Sequence, residues 1–274
     1  MSPVVQTLPY VAWILLAALA FGSFAFVVLT RHLTDATRGY LGFTSVCAGL
    51  IAVLALVVDS GLPAPTDLAI RHALSEPIRQ GFMLVFATVA FVYPIALRRG
   101  AGAPLTAGIL GLGWLALTLF GAALGWAPTP ADAVPLFVQL VVLSLATGGS
   151  LAAIILGHWY LVTPKISEKP LVLQARLLLG VVGLQVLLFV VWTTLGGGPG
   201  QDAWEALSGG NLLLVVLRLL VSLLFPLVLT WMAWRTALTR SMESATGLLY
   251  INLAAVMAGT IGAAALYVAT GLLL

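Results

Sequence analysis

Six residues stand out from an apolar background, and each suggests a chemistry. Arg218 lies in "NLLLVVLRLLVSLLFP", about two turns inside a hydrophobic run. A charge there costs about 2.5 kcal/mol or more to insert unless it is paired or hydrated, so by default it marks a binding site with a partner. Asp59, Asp202 and Glu205 are the acidic candidates on the same side, and snorkelling to the interface is the structural alternative. Asp59 closes an apolar run at "VVDSG", where it could also simply begin a turn. His32 and His158 sit near the ends of two further runs, in "TRHL" and "GHWYLVTP", where an imidazole could join a ligand or proton site. A b-type haem needs two axial ligands, and only this histidine pair shares a depth. The spacing signal is weak, so no haem is expected. Tyr10 and Trp13 complete the set, near the start of the first run.

Other chemistries find no residues. The single Cys47 has no cysteine partner, and it reads as a small packed side chain. No cluster of His or carboxylates suggests a metal site. No Lys lies deep in a run, and no Ser-His-Asp or Asp-Asp pattern suggests an intramembrane protease. "GILGLG" at 108–113 follows no strand, so it reads as close helix packing and not as a nucleotide loop.

The elements that must position these residues follow from composition. Of 274 residues, 61% are hydrophobic and only 8% are charged. A water-facing surface needs far more charge, roughly 25% of residues in soluble domains. The chain is therefore expected to be all-α: a polytopic membrane helix bundle forming one domain over residues 1–274. Eight runs approach the roughly 20 residues a span requires, at about 8–30, 40–58, 79–97, 105–126, 134–160, 171–195, 211–234 and 245–273. The apolar residues are continuous and do not alternate, which excludes a β-barrel. "DSGLPAPTD", "WAPTPAD" and "GGGPGQD" separate runs as turns. "TDLAIRHALSEPIRQ" could form a short amphipathic helix in the longest loop.

Charge sets the expected orientation. The loops after spans 1, 3, 5 and 7 hold Arg31, Arg38, Arg98, Arg99, Lys165, Lys169, Arg235 and Arg240. The other loops hold only Arg71 and Arg79 against several acids. The positive-inside rule then faces both termini outward, in a multi-pass protein of a cell membrane, the bacterial inner membrane being the expected one. The excess of base reports topology, and no nucleic-acid partner is expected.

Within the spans, Gln139, Gln185 and Asn252 are expected to hydrogen-bond between helices. "GAALG" at 121–125 has small-residue spacing for close helix approach. "TGGS" at 147–150 is expected to loosen or kink the fifth span. Trp159 and Tyr160 read as an interfacial collar, and Thr163-Pro164 as the helix end.

Three stretches resemble a known family. "VLALVVDSGLP" is similar to the end of the second span in polysulfide reductase-type (NrfD/PsrC-like) membrane subunits, with Asp59, Gly61 and Pro63 in matching places. "SEPIRQGFMLVF" at 75–86 resembles that family's entry into an aromatic third span. "PLFVQLVVLSLATGGSLA" at 135–152 resembles its fifth span. The likeness covers about residues 8–155. "GHWYLVTP" is not an element of that pattern, and the chain is short for the family. The resemblance implies a quinone-interacting membrane anchor of an oxidoreductase complex, passing electrons to or from an iron–sulfur or cytochrome partner. Asp59, Arg218 and aromatics such as Tyr10 and Trp13 would line the quinone site. Two other expectations stand beside it. A small-molecule or ion transporter would use Arg218 and the "TGGS" break as a polar path. A non-catalytic scaffold or assembly subunit would use only the small-residue faces.

Overall fold

The computed structural model describes residues 3–65, 68–70, 76–100, 102–163, 165–195, 212–271 and 273. Eight helices among them are long and apolar enough to cross a membrane, and the described residues contain no strand. They are α1 (Pro3–Leu33), α2 (Arg38–Asp59), α3 (Glu76–Ala96), α4 (Gly102–Trp126), α5 (Ala133–Val162), α6 (Lys169–Leu195), α7 and α8 (Met242–Thr270). Span α7 joins an α segment, Leu212–Leu219, a π-helical turn, Leu220–Leu224, and a second α segment, Phe225–Leu238. Every sequence-predicted span is present. The chain is a polytopic, multi-pass helical membrane protein.

The local signals explain the helix ends. Thr37 is extended and caps α2, its hydroxyl accepting from Tyr40 N at 3.5 Å. Gly271 ends α8 with φ 76°, a left-handed conformation that a Cβ disfavours. Pro226 follows the π-helical turn. A proline ring clashes with the carbonyl four residues back and has no N–H to give it, so the backbone widens there instead.

Helices α1 and α5 form the centre. In each, 78% of the most apolar window is buried, against 22% in α6. Glycine makes this contact close. A Cβ on Gly22 would stand 1.8 Å from the Ser144 carbonyl oxygen, and one on Gly148 would stand 2.4 Å from Ser23 N. Backbone meets backbone at this crossing. Gly149 receives the Phe26 ring in the same way. The "TGGS" stretch is thus a packing surface, and α5 is helical straight through it. That corrects the expected loosening and removes the break a transporter path would need there. Gly108 and Gly111 of "GILGLG" pack on Val28 and Phe24 of α1, as expected.

Apolar side chains such as Leu54, Val57, Leu187 and Leu213 point outward and exposed. In water they would be a liability, whereas in lipid they cost nothing. Neutral polar groups cross-link the interior. Trp192 Nε1 donates to Gln139 Oε1 at 3.1 Å, and Asn252 Nδ2 donates to Ser150 Oγ at 2.8 Å. Gln185 departs from the expectation: both its amide atoms are buried without a hydrogen-bond partner.

Candidate functional site

The start of α1 and the end of α8 share one end of the bundle, and the candidate site lies there. Asp59 is the last residue of α2, and Arg79 falls in the first turn of α3. Each opposes its helix dipole, an acid at a C-terminus and a base at an N-terminus. They neutralise one another. Arg79 Nε donates to Asp59 Oδ2 at 2.8 Å, and its Nη2 donates to Oδ1 at 2.9 Å. Gln80 Nε2 adds a third bond, to Oδ1 at 3.0 Å. Asp59 is fully buried and Arg79 is 2% exposed. A two-pronged geometry of this kind is what a guanidinium and a carboxylate require when both leave water.

Aromatic rings enclose the cation. The guanidinium carbon lies 5.5 Å from the Trp13 ring centre and 5.3 Å from that of Trp126. The two indoles meet edge to face at 4.9 Å, and Tyr10 meets Trp126 at 5.6 Å. Tyr10 donates to the Pro63 carbonyl at 2.5 Å, fastening the α2–α3 loop to α1. Ala69 N donates to Val268 O at 3.2 Å, fastening it to α8. Gly121 of "GAALG" leaves room for the Arg79 stem, with its would-be Cβ 3.6 Å away. One polar atom is left over: the buried Trp13 Nε1 has no acceptor.

Three sequence-predicted residues therefore come together: Asp59, Tyr10 and Trp13. Arg79, which by sequence alone reads as a loop charge, and Trp126 join them. The stretch expected as a short amphipathic helix is described only in part. Leu68–Ile70 is a bend, Glu76–Gln80 belongs to α3, and residues 66–67 and 71–75 lie outside the described residues.

Arg218 lies elsewhere. It is buried on α7, two residues before the π-helical turn, against α8. A Cβ on Gly259 would stand 2.3 Å from Ser222 Cβ and 2.8 Å from Arg218 Nη1. The acid expected to face it, Asp59, is engaged by Arg79. Asp202 and Glu205 lie outside the described residues.

His32 and His158 are both exposed, near the opposite end of the bundle. His158 turns away because Gly157 and Tyr160 take the inward face of α5. Trp159 instead packs on Gly39 and Phe43 of α2, and Tyr160 donates to the Ser167 carbonyl. The collar therefore anchors the turn to α6. Among the described residues no group of three or more His, Cys, Asp or Glu could hold a metal ion.

Comparison with known proteins finds no matching family model, curated relative or solved structure.

Proposed function

We propose that the chain is a quinone-interacting membrane subunit of an electron-transfer complex in the bacterial inner membrane. The observation that carries this reading is the convergence of Asp59, Tyr10 and Trp13 around one buried ion pair, with the Trp13 indole N–H left unpaired. The family resemblance implies a quinone site lined by Asp59, Arg218 and aromatics near the same end; the fold brings Asp59, Tyr10 and Trp13 to one place, with Arg218 apart from them. Quinone recognition needs flat apolar walls and a donor for each carbonyl. Trp13 and Trp126 supply walls, and the Trp13 N–H supplies a donor. Arg79 and Asp59 neutralise one another, and the paired guanidinium holds the Trp13 and Trp126 rings in place. Electrons come from or go to a partner bearing iron–sulfur clusters or haem. The chain's share of the chemistry is binding and proton handling.

Purification in mild detergent tests this. The expected result is a redox-active partner in the complex and quinone in its solvent extract. A chain that runs alone, with no quinone, ends the proposal. That outcome would favour the scaffold reading, which one observation already supports: Asp59 is saturated by three N–H donors and needs no ligand.

A further inference from the structure

The bundle interior holds more buried polar atoms than its hydrogen bonds use. Such atoms are rare in folded proteins and ask for a reason. Near the end opposite the ion pair, Gln174 Nε2 donates to Thr30 Oγ1 and to Tyr40 Oη, both at 2.7 Å. Gln174 Oε1 and the nearby Thr44 hydroxyl stay unpaired and fully buried. The Tyr40 hydroxyl reaches the Ala152 carbonyl of α5 at 3.3 Å.

From Ala152 the polar groups continue along α5. Ser150 accepts from Asn252, whose Oδ1 is a further buried, unpaired acceptor. One turn on, the Thr147 and Thr260 hydroxyls meet at 2.7 Å. Beyond them lies a small cavity of about 10 Å³ between α1, α5 and α8, lined in part by Gln139 and Tyr267. That volume is on the scale of one water molecule. Tyr267 then donates to the Trp126 carbonyl at 3.4 Å, and the Trp126 ring covers Arg79. From residue 152 to residue 139 the helix rises about 20 Å, most of the hydrocarbon thickness.

We propose that this seam is a proton route, in which water bridges hydroxyl and amide groups along α5 between the Tyr40–Gln174 cluster and the aromatic end. The hydroxyls and side-chain amides on it can both donate and accept, whereas the Ala152 and Trp126 carbonyls only accept, so water carries the proton past those two points. The unpaired atoms of Gln174, Thr44 and Asn252 are the positions where water binds. Protons enter at one end and leave at the other, and no electron moves. The route needs no quinone, so it stands or falls apart from the function proposed above.

Quinone-free vesicles containing the purified chain and a pH-sensitive dye test it, under a potassium diffusion potential. The expected result is proton uptake about tenfold faster than in protein-free vesicles. Thr260→Val and Asn252→Leu should return it to the protein-free rate, while Thr260→Ser, which keeps the hydroxyl, should conduct. Wild-type uptake no faster than empty vesicles overturns the proposal. So does full uptake by a Thr260→Val protein that elutes and melts like wild type, since the polar groups would then be helix glue alone. Proton uptake by a chain whose purified complex yields no quinone would instead fault only the quinone reading.

Discussion

Arg79 and Arg218 are the two buried arginines of the described bundle, 2% and 3% exposed, and they are buried by different means. Arg79 enters at a helix start, with a carboxylate from the preceding helix and two indole faces around it. Arg218 lies within a span, set against a glycine beside a π-helical turn. At Arg79 the surroundings are built around the charge, and at Arg218 a glycine on the facing helix leaves room for the side chain.

Substitutions separate the two modes. The largest effect is expected for Arg79→Ala, which leaves Asp59 buried with Gln80 as its remaining side-chain donor. Breaking a buried pair on one side costs about 3–5 kcal/mol. The melting temperature in detergent should fall sharply, and the double substitution Asp59→Leu with Arg79→Met should recover most of the loss. A single substitution costing no more than an exposed pair would mean the ion pair is not buried in the working protein.

Arg79→Lys comes next. Lysine keeps the charge but loses the fork and the stacking between indoles. Losing one charge-assisted hydrogen bond implies about 1.5–3 kcal/mol, again read by melting. Gly259→Ala should cost about 1–3 kcal/mol, because the new methyl meets Ser222 and Arg218 head-on. Gly121→Ala, beside Arg79, makes an ordinary contact and should be tolerated. Equal effects at the two glycines would erase the contrast between the arginines. Smallest of all is Arg99→Ala, expected within about 0.5 kcal/mol because that side chain is exposed. Arg218→Ala should shift the melting temperature more.

The eight spans were legible because long apolar runs carry their own length and limits. Asp59, Tyr10 and Trp13 were legible as chemistry but not as neighbours. Arg79 was missed because a charge beside an apolar run resembles an interface charge. Pro77 was the available signal: proline favours the first turn of a helix and starts α3 early enough to hold Arg79. Trp126 was hidden in turn punctuation. The glycine pair of "TGGS" has two meanings, loosening or close approach, and Gly22 on another helix decides between them. The outward turn of His158 could have been read from the phase of Gly157 and Tyr160. The π-helical turn was announced only by Pro226, which sat unremarked at the end of an apolar run.

The central claim is that the ringed ion pair at the end shared by the start of α1 and the end of α8 faces a quinone. Titrating the purified protein with a short-chain quinone, followed by tryptophan fluorescence, tests it most directly. Saturable quenching is expected in wild type. Trp13→Phe, which keeps the ring stacking but removes the indole N–H, should weaken binding about tenfold, the equivalent of about 1.4 kcal/mol. Quenching that never saturates, or binding unchanged in Trp13→Phe and in Asp59→Asn alike, would contradict the account.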